Sequence, residues 1–523
     1  MSPCALCGAP AQEAVQAEAA WAAPEVIERL AQAHPGWRRA DGGCPACVQQ
    51  ALLEVLLSRG EAAYHESVQR AWPLDAEAAF GALPTPVRLH GDPRYRGRGV
   101  TIALVDGAFY PHADLTRPRN RIRAWVDAGR QDLRVLRFGP DDEPRWPGWD
   151  AGADAQWHGL MTSVVAAGNG ALSHELYRGL ASEAELALLP VRDASGHIGN
   201  AAIARALRWL ERRGPDLGVR VVNLSLGGDP VEPLRGNAVD EAVAALVAKG
   251  ITVVAAAGND GVRRLVPPGT ALDALTIGGL DDGNTLTHDE HALWRGNYGQ
   301  TAQGVLKPEL VAPSMWVAAP VLPGTPLARE AAHLFAARAG DEKAEAALAE
   351  RKLVTPHYQH VDGTSFAAPL VASVVACMLE ANPALTPRRI RELLVAAAHP
   401  VPGAPLERQG AGALDAGRAV SLALAEKAGQ AFAGSPSPTA DGWRFVLHDG
   451  QAREVRVLGS WDGWREPGLS AALANGRWEA RLGALASGTY HYKFAVDGRW
   501  LADPANPARA HDGHGSLNSV LMA

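Results

Sequence analysis

VTIALVDG, residues 100–107, is the stretch on which the reading of this chain turns. It is a short apolar, β-branched run closed by Asp106 and Gly107, which reads as a strand ending in a tight turn. The same signal recurs downstream in ELALLPV (185–191), VVNLSL (221–226) and ITVVAAAGN (251–259). Between these runs lie segments with helical spacing: GLMTSVVAAG (159–168), AAIARALRWLERR (201–213) and AVAALVAKG (242–250). Strands alternating with helices call for an α/β fold, a doubly wound parallel sheet with helices on both faces. This block is expected over residues 95–427.

The rest of the chain reads differently. Residues 1–94 are Ala- and Glu-rich with helical spacing and predict a small helical region. Residues 325–352 have helix-forming composition and few strand signals, which predicts a helical insertion on the surface. Residues 428–442 (AGQAFAGSPSPTADG) are small, polar and Pro-containing, the composition of a linker. From 443 to 523 short strands alternate with Gly and Asp-Gly turns, as in WRFVLHD, EVRVLGSWDGW and TYHYKFAVDG, and predict an immunoglobulin-like β-sandwich.

Composition bounds the function. The 523 residues are 47% hydrophobic and 20% charged, which suits a globular chain. Fifty basic against 57 acidic side chains leave a net charge of −7, a balance that argues against nucleic acid or an anionic membrane surface as partner. The longest apolar run, Phe366 to Leu379, falls short of the roughly 20 residues of a membrane span and reads as a buried helix. The N-terminus lacks a basic start followed by an apolar run, and the five cysteines do not form a disulfide framework. A reducing cytoplasm is the expected compartment.

Three residues carry a reaction. Asp106 ends a strand at the carboxyl edge of the sheet, where α/β sites form. His158 opens the helical run HGLMTSVVAAG. Ser365 lies in VDGTSFAAPLVASVVACML, a small-residue turn leading into a buried helix, whose free N–H groups favour developing negative charge. A serine hydroxyl needs a neutral imidazole to take its proton, and the imidazole needs a carboxylate to fix its tautomer. Each residue alone has an ordinary structural reading, as a strand end, a helix start or an N-cap; their conjunction points to nucleophilic catalysis.

These motifs, with VVNLSLGG (221–228), VVAAAGN (253–259), KPELVAPS (307–314) and GAGALDAGRAV (410–420), resemble the subtilisin-like serine peptidases, in the chain order Asp, His, Ser. The resemblance implies a peptide-bond hydrolase acting on protein or peptide substrates, with Asp106, His158 and Ser365 as its triad. It also implies Asn259 as a side-chain donor to the oxyanion, together with the Ser365 amide. Ser225, Leu226, Gly227 and Gly228 match the segment that pairs with an extended substrate. The chain departs from the family at Gly107, where Thr or Ser is usual, and at Leu160, where Thr is usual. VPPGTALDALTIGG (266–279), which helps to shape the S1 pocket in the family, has Asp273 as its one charge. Many relatives bind calcium, but no loop here is dense enough in carboxylates to assign ligands.

Cys4, Cys7, Cys44 and Cys47 form two C-x-x-C pairs beside Gly8, Gly42 and Gly43, and four thiolates suit a structural tetrahedral zinc. A redox pair and cysteines without metal are the alternatives. Cys377, amid apolar residues, reads as a buried small hydrophobe. The C-terminal motifs VRVLGSWDGW, GRWEARL, GTYHYKFAVDGRWLADPANP and GSLNSVL resemble the glycogen-binding module of AMP-activated kinase β subunits. That resemblance implies an α-glucan such as glycogen as a partner, held by Trp464, Lys493, Trp500 and Asn518, with an indole stacking on a glucose ring. His514 stands where the family often has a hydrophobic residue. The alternatives are that the tryptophans are core residues, that the module docks protein only, and that the whole chain is a noncatalytic or latent scaffold binding glucan or a protein partner.

Overall fold

The computed structural model describes residues 2–8, 10–11, 24–43, 47, 51, 82–144, 153–173, 175–230, 237–284, 291–337, 341–429, 435–439, 441–447, 449, 451–474, 477–486, 488–506 and 508–523. Its central element is a nine-stranded sheet. In chain order the strands are β1 (Thr101–Asp106), β2 (Ile122–Asp127), β3 (Arg134–Arg137), β4 (Glu185–Pro190), β5 (Val219–Leu224), β6 (Thr252–Ala256), β7 (Leu275–Asp281), β8 (Ala292–Leu293) and β9 (Leu310–Pro313). The spatial order is β8-β7-β6-β5-β1-β4-β2-β3, with β9 also on β7; all pairs are parallel except β2/β3 and β7/β8. β1 therefore lies between β4 and β5, at the switch point whose carboxyl edge forms the site of such sheets.

Strand periodicity sorts the core onto two faces. Ile102, Leu104, Leu186, Leu188, Val221 and Val254 pack on one side. Helices α1 (Ala153–Ala167) and α6 (Thr364–Ala381) contribute to that layer. Ala103, Val105, Ala187, Leu189, Val222 and Val253 pack on the other, against α2 (Asn200–Arg213) and α3 (Ala238–Ala248). Every residue of α6 is buried except Ser365 and Glu380. Each large apolar side chain buried there contributes about 1.5–3 kcal/mol, so α6 is fixed by its length, with Ser365 left at its open end. By composition α6 is long enough to cross a membrane, but 89% of it lies inside the protein. At its far end Glu380 accepts the N–H groups of Arg96, Gly97 and Arg98 at 2.7–3.1 Å, which ties the start of the α/β block to it.

Residues 325–352 hold two helices, α4 (Pro326–Ala337) and α5 (Glu342–Glu350), around a small cluster of Val321, Ala331, Leu348 and Leu353. They lie between two strands of a three-stranded sheet, β10 (Val317–Pro320), β11 (Leu353–Thr355) and β12 (Tyr358–Val361). After α6 come α7 (Pro387–Ala397) and α8 (Ala416–Lys427). In the N-terminal region, expected to be helical, the described elements include a helix at Pro24–Ala33, a short one at Thr85–Arg88 and a 3-10 turn at Arg39–Asp41, together with a short antiparallel ladder of Ser2–Pro3 on Pro10–Ala11.

The C-terminal part is two antiparallel sheets around Trp443, Phe445, Val457, Trp478, Tyr492 and Phe494. One reading needs correction here: the stretch 428–442 is not linker throughout. Ser437–Thr439 pairs with Gly442–Leu447 as an edge strand. It is held because Ser435, just before it, is buried and donates to Asp503 at 2.5 Å while accepting the Val446 N–H at 2.9 Å. The sandwich is docked on the α/β block: Arg388 of α7 lies 4.6 Å over the Trp443 ring and donates to the Pro436 carbonyl, and Val305 joins Ala508, Ala510 and Val520 in one buried cluster.

Candidate active site

Asp106 ends β1 with its side chain 3% exposed, and its carboxylate collects three donors. The Gly107 N–H reaches Oδ1 at 2.7 Å, the Thr162 hydroxyl reaches Oδ2 at 2.9 Å, and His158 Nδ1 lies 2.8 Å from Oδ1 and 3.0 Å from Oδ2. A carboxylate can only accept, so Nδ1 carries the ring proton and Nε2 is left as the acceptor. Burial opposes a charge on the ring, but the attraction of Asp106 and its hydrogen bond outweigh it and lift the His158 pKa above its ordinary value.

His158 is in the second turn of α1, which begins at Ala153 and not at the histidine. Gly159 allows this placement. A Cβ there would stand 2.0 Å from the Ala108 carbonyl oxygen and 2.9 Å from the Phe109 ring, so a glycine lets α1 lie flush on the loop leaving β1. The imidazole meets the edge of Trp157 at 5.2 Å and the ring of Phe366, the residue after Ser365, at 5.9 Å. The structure thus brings His158 to the first turn of α6, where Ser365 is second. Among the described residues the His158 ring bonds only Asp106. Catalytic hydrogen bonds in unliganded sites commonly close only when substrate is bound.

Asn259 follows β6 on an exposed turn and points its amide at the same place. Its Oδ1 accepts from the Thr364 N–H at 3.0 Å and the Thr364 hydroxyl at 2.8 Å, while Thr364 Oγ1 accepts the Gly258 N–H at 3.1 Å. With Oδ1 occupied, the amide cannot flip, and Nδ2 faces Gly363: a Cβ on Gly363 would lie 3.5 Å from it. Gly363 has φ of +141°, a backbone conformation that a side chain would strain. The arrangement can place a side-chain N–H and the amides at the start of α6 around a developing oxyanion.

The two departures from the family pattern do not disturb this geometry. Gly107 gives its N–H to Asp106, and Leu160 points into the core, fully buried. Sequence reasoning missed Thr162 and Thr364, which orient Asp106 and Asn259. The signals were there: Thr162 is four residues after His158, one turn along the same helix face, and Thr364 directly precedes Ser365.

Ser225 to Gly228 leave the end of β5. Ser225 is buried and accepts from Asn223 Nδ2 at 2.9 Å, Leu226 is buried, Gly227 is exposed, and the Gly228 N–H is already bonded to the Pro267 carbonyl at 2.8 Å. Asp273 is not beside the triad; it lines a cavity of about 250 Å³ between α7 and the sandwich, with Arg388, Arg391 and Ser435.

Cys4, Cys7 and Cys47 have sulfurs within 4.8 Å of one another; Cys44 lies outside the described residues. The Leu6 N–H points at Cys4 Sγ at 3.4 Å and the Gly8 N–H returns to the Cys4 carbonyl at 2.8 Å, so the backbone wraps the sulfur as a metal knuckle requires. Cys377 is buried, and burial pushes its thiol far above the usual range. On the sandwich, Trp464 and Trp500 stand together with ring centroids 6.0 Å apart, and Trp500 is 51% exposed. Lys493 and Asn518 are buried beneath the surface, and the Lys493 ammonium is bonded to Asp512 at 2.7 Å and Ser516 at 3.3 Å. His514 is exposed in the adjoining turn.

Residues 97–412 match the subtilase family, and residues 444–523 match the glycogen recognition site of AMP-activated protein kinase. Serine protease AprX of Bacillus subtilis (strain 168) is 31% identical over 311 residues, 57% of this chain and 61% of that protein. Subtilisin Savinase of Lederbergia lenta is 26% identical over 299 residues, 57% of this chain and 82% of that protein. A solved protease structure from Pseudoalteromonas arctica PAMC 21717 aligns with a TM-score of 0.46 at 21% identity, covering 67% of this chain and 96% of that one. The match to AprX thus spans less than two thirds of that relative's length.

Proposed function

The chain belongs to the subtilase family, and from that premise we propose that it is a serine endopeptidase. Ser365 attacks the scissile carbonyl and His158 Nε2 takes its proton. Asp106 fixes the ring tautomer and stabilises the imidazolium, and Asn259 Nδ2 with the Ser365 amide receives the oxyanion. His158 then returns the proton to the leaving amine. The observation that carries the reading is the Asp106 carboxylate held by three donors: with Asp106 and Asn259 Oδ1 already bonded, His158 and Asn259 Nδ2 need little reorganisation during the reaction. The segment Ser225 to Gly228 pairs with the extended substrate backbone, chiefly through groups other than the Gly228 N–H.

The C-terminal module binds an α-glucan such as glycogen, and holds enzyme and substrate on one particle. The adjacent Trp464 and Trp500 rings support this: they meet edge to face at 62°, and the exposed Trp500 offers its indole to a sugar ring. Lys493 and Asn518 act from below by shaping that surface. A zinc ion held by Cys4, Cys7, Cys44 and Cys47 fastens the N-terminal region and takes no part in the reaction; such thiolates suit a reducing cytoplasm. The test is fluorophosphonate labelling of the wild type beside Ser365→Ala, with co-sedimentation on glycogen for Trp464→Ala and Trp500→Ala. Labelling confined to the wild type, and sedimentation lost in the tryptophan variants, is the expected result. A wild type that never labels points to a noncatalytic scaffold, and one that stays in solution points to a protein-docking module.

A further inference from the structure

The turn that carries the nucleophile is gripped from a second side by groups that the reaction does not use. Asp362 stands three residues before Ser365, and its half-exposed carboxylate meets His360 Nε2 at 2.5 Å and Lys352 Nζ at 3.2 Å. His360 is on β12 with its side chain 3% exposed, and the same Nε2 faces the Trp316 N–H at 2.7 Å. The Trp316 indole lies flat on the imidazole, centroids 4.6 Å apart and planes within 7°, so the ring plane is fixed whichever partner Nε2 serves.

Trp316 is itself held in place. Its φ of +57° is a conformation that a bulky residue keeps only when its surroundings over-determine it. The stack on His360 supplies one constraint. The other is Arg88, which pairs with Asp282 and donates to the carbonyls of Met315 and Trp316. Two residues before Trp316, the Ser314 carbonyl accepts the Gly363 N–H at 2.8 Å. The segment Ser314–Trp316 therefore holds the nucleophile turn at Gly363 directly and at Asp362 through His360.

We propose that Trp316, His360 and Asp362 are positioning residues, a clamp that keeps the Gly363–Ser365 amides in register with Asn259 so that the oxyanion finds both donors. The proposal deepens the peptidase reading and rests on it. In this reading the three act through the turn. Their loss shifts donors that must stand 2.7–3.1 Å from the oxyanion, so it acts on turnover and not on binding.

His360→Phe keeps the stack and the volume but removes Nε2. Asp362→Ala removes the carboxylate at a half-exposed position where folding is least at risk, and Asp362→Asn retains an acceptor. The measurement is kcat and KM on a chromogenic peptide amide with the full chain, normalised to sites titrated by a fluorophosphonate. His360→Phe and Asp362→Ala are expected to lower kcat about 10- to 100-fold with KM within about twofold, and Asp362→Asn to recover most of the loss. If kcat per titrated site is unchanged in both variants, the clamp is overturned and the peptidase reading stands. A wild type that neither labels nor cleaves overturns the peptidase reading and the clamp with it.

Discussion

Thr162→Val separates orienting Asp106 from merely packing beside it. The hydroxyl is fully buried, donates to Asp106 Oδ2 at 2.9 Å, and is replaced by a methyl of similar volume. A hydrogen bond to a charged group contributes about 1.5–3 kcal/mol. The Gly107 N–H and His158 remain, so the carboxylate stays paired and transfers part of that interaction to the imidazolium. At 1.36 kcal/mol per pH unit, shifting about half of it raises the His158 pKa by roughly half a unit to one unit. Catalysis needs neutral His158, so activity falls as pH drops through this value. The acid limb of kcat/KM should therefore move up by that amount, with little change on the alkaline plateau. Stability runs the other way: the raised folded-state pKa makes the Asp106–His158 pair stabilising below the unfolded value of about 6.5, and this is lost as pH rises through the folded value. A pH profile on a chromogenic peptide, with urea unfolding at matched pH, measures both. An acid limb that stays put or moves down refutes the reasoning.

Gly159→Ala puts a methyl 2.0 Å from the Ala108 carbonyl, and α1 must retreat with His158. A displacement near 1 Å should lower kcat by about 100-fold, read as turnover per titrated site. Arg88→Met removes the buried counter-ion of Asp282, which keeps the Asn284 N–H at 3.0 Å, and should cost about 3 kcal/mol, seen as a lower urea midpoint and earlier proteolysis near residue 90. If the cysteines hold zinc as proposed, a chelator should loosen their region and leave turnover on a small peptide unchanged, because Cys4, Cys7 and Cys47 are not among the proposed catalytic residues. Circular dichroism melts and peptidase assays before and after chelation decide it.

The candidate triad was legible because each member stands near a glycine, Asp106 before Gly107, His158 before Gly159 and Ser365 two residues after Gly363, although His158 lies inside α1 and not at its start. The central strands β1, β4, β5 and β6 were legible because they are largely apolar runs, as strands covered on both faces must be, whereas β3, Arg134–Arg137, is largely exposed and gave no such signal. The edge strand Ser437–Thr439 was read as linker because the prolines of SPSPT mask a strand, although its partner Gly442–Arg444 follows within a few residues; what anchors it is distant, for nothing local in SPSPT shows that Ser435 will meet Asp503. The supports of the site were hidden for the same reason. Trp316 and His360 are separated by the whole α4–α5 insertion, and Arg88 reaches Asp282 across 194 positions. Proximity of that kind comes from topology, which composition and periodicity do not report.

How the sandwich is attached bears on what glucan binding can do. Its contact with the α/β block uses Ala508, Ala510, Val520, Trp443 and Pro436, and none of these is Trp464 or Trp500. The tryptophan pair therefore keeps its exposed face while the module stays docked. A module on a flexible tether would raise local concentration and leave every bond equally reachable. A docked one also fixes the direction of approach: with Arg388 over Trp443 and the apolar cluster closed, His158 and Ser365 keep one orientation relative to Trp464 and Trp500, and so toward any glucan surface bound there. Selection among proteins on a glucan particle would then depend on where their loops stand above that surface as much as on the side chains that those loops present.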